Sequence, residues 1–446
     1  MKLCRWIPAF AGMTRPAFAE MTQRFVALAK AGAHLSVVVA TLTCASAGID
    51  EAMRIRLQRA VDSVQKVEKI QGVSAAVVID GDMWSGVAGE SHAGRPITPD
   101  MVLGIGSNTK TCMAITLLRL QEQGLLKLDE PIRKWLPPHP NIDTTITVRK
   151  LLNHTSGVGD YSALKSYRDA CLAEPTRRWA LNELLDLIPV QQFAPGSSGG
   201  YCNTNYLLAG IVAQEVSGLS LYQLFRRELF NPLSMDSTRL FPDEEILGEL
   251  AHRWMGGRDA SNGSMNAEWS GAWAAGAVIS TSAEMAQFYD ALFSGRVLNT
   301  ESMTQLTAFV GANDYGLGIS RKVVSGTTVI GHTGEIRGYS SVMFRVPSLK
   351  ANIVVLTNSI PSNPLGVAAA ILRVLRDAPT SVSEDGIQHF NIALPGEVYS
   401  IEGRFVCSVS TYDELQQLQP ATYMVVASGF LQVVNVSDAG SIAIGR

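Results

Sequence analysis

Ser107 and Lys110 follow a glycine-rich approach, Gly104-Ile105-Gly106, and stand at the head of a helical pattern. Apolar Met113, Leu117 and Leu120 recur at helical spacing, and Gly124 is suited to end the helix. Lys110 then lies one turn from Ser107 on the same face. A serine hydroxyl is a weak nucleophile and needs a base beside it. A lysine amine taken out of water can lose its proton near neutral pH and serve as that base. The amides at the helix start can stabilise a developing oxyanion. The chemistry this pattern offers is nucleophilic catalysis.

The S-x-x-K spacing occurs three times, so context must choose. Ser63 and Lys66 fall in an amphipathic pattern over residues 49–69, an ordinary surface helix with Ile55, Leu57, Val61, Val64 and Val67 among charged neighbours. Ser162 and Lys165 fall in a polar stretch without the apolar support that a buried lysine needs. Ser107 and Lys110 remain.

Two further stretches carry chemistry-bearing residues: Ala194 to Tyr206, with Tyr201-Cys202-Asn203 inside it, and Gly331-His332-Thr333-Gly334. Ser107-x-x-Lys110, Tyr201-x-Asn203 and His332-Thr333-Gly334, in that order, resemble the three motifs of the penicillin-recognising serine hydrolases. That superfamily holds DD-peptidases, class C β-lactamases, esterases and D-aminopeptidases. The stretches Leu151 to Gly157 and Ala275 to Ser280 add to the resemblance, which covers residues 50–378.

The resemblance implies a role for each residue. Ser107 would be acylated, with Lys110 and Tyr201 sharing the proton work. A phenol beside an ammonium is expected to have a lowered pKa. Asn203 would hold the substrate amide and orient Lys110. His332 and Thr333 would line the wall for the substrate's far end, and Gly334 would let the strand approach closely. The backbone amides of Ser107 and Glu335 would form the oxyanion hole. No metal or other cofactor is required. His154 is read as structural, Cys202 as a tolerated small residue, and Arg321 as a solvated residue or a ligand for a substrate carboxylate.

The third motif bears on the type of hydrolase. Class C β-lactamases usually carry lysine where this chain has His332, and the run on to Gly338-Tyr339 looks more like secreted DD-carboxypeptidases. No deacylating glutamate motif of the class A type is evident. The leading expectation is an exported D-alanyl-D-alanine carboxypeptidase. The rivals are an esterase, D-aminopeptidase or β-lactamase on the same fold, and a non-catalytic penicillin-binding sensor or interaction module. Glu335 is a departure: facing the substrate, it would repel a C-terminal carboxylate unless Arg337 neutralised it. The partner expected is a small-molecule or peptide substrate: a D-amino-acid peptide, a β-lactam or an ester.

Strand patterns lie at both ends of the central region and helices between. The N-terminal ones are Val73–Ile79 and Met83–Val87, joined at Gly81-Asp82. The later ones are Thr327–Gly331, Ser341–Val346 and Ile353–Leu356, followed by an amphipathic helix over Leu365–Leu375. A helix is expected from Asn203 to Ser217, and Thr281 to Glu284 reads as a capping box. The fold class expected is α+β, β-lactamase/transpeptidase-like: one antiparallel sheet from both chain ends, flanked by helices, with a mostly helical lobe inserted.

Among the 446 residues 46% are apolar and 17% charged, enough for a large core and against global disorder. The net charge of −3 gives no footprint for nucleic acid. Residues 1–47 read as an N-terminal extension and secretory signal peptide, with Met21 the better start and cleavage after Ala47 in Ala45-Ser46-Ala47. Residues 48–379 form the hydrolase domain and 380–446 an extension with the patterning of a small β unit. An oxidising compartment would permit a Cys171–Cys202 disulfide, which spacing does not establish.

Overall fold

The computed structural model describes residues 48–311 and 314–377, and five later strands between Gly396 and Gly445. The signal-like segment, Cys4 and Cys44 lie outside the described residues. Two units are distinguished: Gly48–Ala378, and a second that contains the C-terminal strands.

Helices used below and the strands of the largest sheet are numbered in chain order. The first unit opens with α1 (Glu51–Val67), β1 (Gly72–Ile79), β2 (Asp82–His92) and the short β3 (Arg95–Pro96). The middle contributes α2 (Thr109–Glu122), α3 (Val148–Leu152), α4 (Thr204–Ser217), α5 (Asn266–Ala272) and α6 (Ser282–Phe293). The sheet resumes with β4 (Ser320–Val324), β5 (Thr327–Ile336), β6 (Tyr339–Val346) and β7 (Ala351–Thr357), and α7 (Pro364–Arg376) closes the unit.

The strand order is β3-β2-β1-β7-β6-β5-β4, antiparallel throughout. The first and last long strands meet in the middle, with Val73 opposite Thr357 and Ile79 opposite Ala351. The sheet is thus assembled from the two ends of the unit, as the alternation of strand and helix patterns implied. Strand β4 has a charged middle, Arg321-Lys322, and no apolar alternation to announce it.

Each face of the sheet covers a different core. Val77, Val342, Val355, Leu57, Val61, Ile371 and Leu372 pack together under α1 and α7. Helix α1 starts on the Asp50 side chain, which accepts from the Met53 amide at 2.7 Å. It buries Leu57 and Val61, each worth about 1.5–3 kcal/mol of transfer free energy, and leaves Ile55 and Val67 exposed. On the other face Ala76, Met343 and Val354 meet the helical lobe and α2. Helix α2 is buried almost all round, from Thr109 to Leu118 and again at Leu120, so it runs through the core as a central rod. Helix α4 ends at Gly218 in a left-handed conformation, as its position after the apolar run suggested. At the head of α6 only half of the expected box forms. Thr281 accepts from the Glu284 amide, while the Glu284 carboxylate is drawn away to the Ser237 amide at 2.8 Å and the Thr238 hydroxyl.

In the second unit the strands Phe405–Val409, Gly396–Ser400, Ala421–Ala427, Phe430–Val436 and Ile442–Gly445 lie side by side in that order, all antiparallel.

Candidate active site

Ser107 sits in a single turn of 3-10 helix, Gly106–Asn108, directly before α2. Gly106 has φ +51°, and a Cβ there would lie 2.5 Å from the Glu335 nitrogen. A Cβ on Gly334 would lie 2.0 Å from the Ile105 carbonyl oxygen and 3.0 Å from the Ser107 nitrogen. Both glycines are required by the closeness of the two backbones, which brings the Ser107 and Glu335 amides to one rim. Ser341 locks the turn to the sheet: it donates to the Ile105 carbonyl at 2.7 Å and accepts from Asn108 at 2.8 Å.

Lys110 is completely buried behind Ser107. Its Nζ is 2.7 Å from Asn203 Oδ1, 2.7 Å from the Ala275 carbonyl oxygen and 3.1 Å from Ser107 Oγ. Two of these partners only accept. A neutral amine gives them its two hydrogens and turns its lone pair to the Ser107 hydroxyl. Burial pulls the Lys110 pKa down to about 7, with Asp160 opposing the shift. The amine is therefore both oriented and available as a base near neutral pH.

Tyr201 reaches the same place from the loop before α4. The loop is tied back by the Gly196 amide to the Thr155 carbonyl at 2.7 Å and the Gly200 amide to the His154 carbonyl at 3.0 Å. The ring of Tyr201 lies 4.9 Å from Lys110 Nζ. The side chain remains 46% exposed to the cleft, yet its phenol end is enclosed. That enclosure pushes its pKa up, and the hydrogen bond with Ser107 offsets only part of the rise. The lowered phenol pKa expected from the sequence is therefore corrected: desolvation outweighs the neighbouring lysine, which is itself half neutral near pH 7.

His332, on β5, is buried. Its Nδ1 donates to the Thr333 carbonyl, which leaves Nε2 to accept from Tyr315 Oη at 2.8 Å. Burial, then Lys110, brings its pKa down to about 3, so it is neutral at physiological pH. His154 has the structural place expected of it. Its Nδ1 accepts from the Cys202 amide at 3.2 Å and from Asn205 at 3.0 Å, and its ring packs 4.4 Å from Tyr201.

A cleft of about 530 Å³ is lined by Ser107, Tyr201, His332, Thr333, Gly334 and Glu335, with Lys110 and Asn203 immediately behind. All eight expected residues are thus brought together. The register refines their directions. His332 and Gly334 oppose Met343 and Ser341, on the sheet face of the helical lobe; Thr333 and Glu335 oppose Val342 and Ser340, on the other face. The Glu335 side chain is exposed at the edge of the cleft that Ser107 lines.

Three readings left open by the sequence are resolved. Arg337 pairs with Glu268 at 3.4 Å and not with Glu335, because the Arg337-Gly338 turn carries it off the strand. Arg321 is held by Asp314 at 3.2 Å and packs 5.0 Å from the Phe309 ring, so the solvated reading holds. Cys171 and Cys202 are both buried and free, without the disulfide considered for them. Lys322, not singled out in the sequence, lines the cleft and has no ion pair or hydrogen bond among the described residues. It opposes Val329 and so shares the sheet face of Thr333 and Glu335. Ala275 was also missed as a functional residue; its contribution is a backbone carbonyl, which no side-chain type signals. Asp160 was missed too, its sequence cue being its place just after the Leu151–Gly157 turn, and Ser162 was weighed only within its own S-x-x-K spacing and set aside.

The Beta-lactamase family model matches residues 57–378. The chain belongs to the Beta-lactamase family. Similar members include a D-aminopeptidase of Cereibacter sphaeroides, 26% identical over 74% of this chain and 65% of that protein. Penicillin-binding protein 4 of Amycolatopsis lactamdurans is 29% identical over 45% of this chain and 52% of its own length. The chain thus spans between half and two thirds of these curated relatives. The D-amino acid amidase of Ochrobactrum anthropi SV3, solved with L-phenylalanine amide, superposes with a TM-score of 0.65 at 26% identity, covering 74% of this chain and 100% of that one. The Beta-lactamase fold and the resemblance drawn from the three motifs are both borne out, and the site has a serine-hydrolase layout.

Proposed function

We propose that this protein hydrolyses amide bonds beside D-residues through a Ser107 acyl-enzyme, with D-alanyl-D-alanine carboxypeptidase activity as the leading assignment. Ser107 Oγ attacks the carbonyl carbon and its proton passes to Lys110. The Ser107 and Glu335 amides take the oxyanion. Tyr201, held protonated, gives its proton to the departing nitrogen and takes up the one on Lys110. Water then attacks the ester, and Ser107 recovers its proton. The observation that carries this reading is the Lys110 amine, whose two 2.7 Å acceptors leave its lone pair for Ser107.

Lys322 favours the carboxypeptidase assignment: it is a cation at the cleft with no ion pair among the described residues, suited to a substrate carboxylate. A second reading, D-aminopeptidase or amidase, is favoured by the exposed Glu335 carboxylate, suited to a substrate amine, and by the D-aminopeptidase and amidase relatives. Export, expected from the segment ending at Ala47, belongs to the same proposal, and fractionation with and without residues 21–47 tests it.

The test starts with a fluorescent penicillin followed by gel and intact mass. A lasting adduct on Ser107, lost in Ser107→Ala, is expected. Rates on an N-acylated peptide ending in D-Ala-D-Ala and on free D-alanine amide then decide between the two readings. Faster cleavage of the amide overturns the carboxypeptidase assignment. Rapid penicillin hydrolysis without an adduct would make the protein a β-lactamase. No label and no turnover of amides, with turnover of short esters, would make it an esterase. Indifference to Ser107→Ala in every assay would leave a binding module.

A further inference from the structure

Behind Asn203 the hydrogen bonds continue away from the cleft. Asn203 Nδ2 donates to Ser162 Oγ at 2.9 Å, and Ser162 Oγ donates to Asp160 Oδ1 at 2.8 Å. Asp160 also accepts from the Ser162 amide at 3.0 Å and from the Asn203 amide at 3.3 Å. Every link has a fixed sense. Lys110 donates to Asn203 whether charged or neutral, because the neutral amine directs its lone pair to Ser107, so Asn203 must turn its oxygen to Lys110 and its amide nitrogen to Ser162. Ser162 then has one hydrogen left, and Asp160 takes it. Both Asp160 oxygens accept, and neither is called on to give a proton. Ser162 belongs to the S-x-x-K spacing rejected above. Its lysine, Lys165, is 82% exposed and pairs with Asp169, while the serine has turned inward.

We propose that Asp160 is a positioning residue that acts through Ser162 and Asn203 to orient the Lys110 amine. Its charge also opposes loss of the Lys110 proton. The groups that face Lys110 come from several elements. Ser107 precedes it, Tyr201, Cys202, Asn203 and Tyr206 border α4, His154 follows α3, and His332 is on β5. Burial holds both histidines neutral and raises Tyr201, Tyr206 and Cys202, Cys202 to about 11. Asp160 is left as the carboxylate acting on the amine. Its network gives Asn203 a single orientation, and so gives the lone pair of Lys110 a single direction.

The role of Lys110 in turnover rests on the acyl-enzyme reading, so the deciding measurement is independent of turnover. Lys110 is titrated by NMR of its Cε and Nζ in the full chain, as wild type, Asp160→Asn and Ser162→Ala. In Asp160→Asn the midpoint is expected to fall by about half a pH unit or more, because the carboxylate favours the ammonium. In Ser162→Ala it should move less, since the charge stays. Where the enzyme assay succeeds, the acid limb of kcat/KM should move down in parallel in Asp160→Asn. In both variants kcat should fall about 10- to 100-fold with KM little changed, because the base is misdirected and the binding wall is untouched. An unchanged or raised midpoint in Asp160→Asn overturns the proposal, as does a fall in kcat at all pH values with the limb in place. If Asp160→Asn does not fold, Ser162→Ala decides. Wild-type kcat and midpoint there refute the relay, and lowered kcat at normal KM with the fold intact supports it. Loss of all turnover in wild type alongside the expected midpoint shift would overturn the acyl-enzyme reading and leave this one standing.

Discussion

Lys110 has a protein partner at every position around its amine, whereas Lys322, at the same cleft, has none among the described residues. The first is buried behind Ser107, pulled down toward neutrality and aimed by acceptors from Asn203, at the head of α4, and from the Ala275 backbone. The second stands exposed on a strand at the sheet edge; Glu335, also exposed, likewise has no ion pair or side-chain hydrogen bond among the described residues. The contrast separates two tasks. A group that must transfer a proton needs one direction and one protonation state, and only a closed environment fixes both. A group that meets the substrate must stay solvated until the substrate arrives, so its partner is absent from the protein.

The sharpest way to break this comparison is to remove the buried half. Ser107→Ala or Lys110→Met should lower kcat/KM by about 10⁴-fold or more with the melting temperature of the fold retained. Substantial residual turnover in steady-state assays would move the chemistry elsewhere. Gly334→Ala comes next. Its Cβ would sit 2.0 Å from the Ile105 oxygen, so β5 must shift from the Ser107 turn, with a loss of about 100-fold in kcat. A crystal structure with unmoved backbone and full activity would contradict the account of the oxyanion rim.

The pH profile distinguishes the buried lysine from its histidine neighbours. Lys110 is a base when neutral, so kcat/KM should rise with pH through an acid limb near 7. His332, held to about 3, cannot supply that limb, and His332→Gln should leave its position unchanged. A limb that disappears in His332→Gln would reassign the base.

The open half should respond more weakly and selectively. Lys322→Met should lower the rate on a peptide with a free C-terminal carboxylate by about tenfold or less, as expected for a solvated charge, and leave the D-alanine amide rate unaltered. Glu335→Thr should move the ratio in favour of the carboxylate substrate. Equal effects on both substrates in either variant would remove the specificity role of this wall. The smallest effect belongs to Lys165→Ala, which disturbs only an exposed pair with Asp169 and should change activity less than about twofold.

The assembly of the sheet from both ends and the preference for Ser107-Lys110 over its two rivals were legible from spacing and patterning, and the three ordered motifs through the family resemblance they carry. These depend on local rules: a helical period, the reach of one turn, a strand's alternation. Strand β4 was not legible, because its charged middle shows no alternation when its outer neighbour is solvent. The sign of the Tyr201 shift was not legible either, since it turns on how much water the folded chain excludes. Asp160, Ser162 and the Ala275 carbonyl join the site across 43, 41 and 165 positions of sequence. The sequence by itself determined which residues could do chemistry and on which elements they ride. Only the tertiary structure decided which way each amine and carboxylate faces, because hydrogen-bond direction and desolvation are set by neighbours far along the chain.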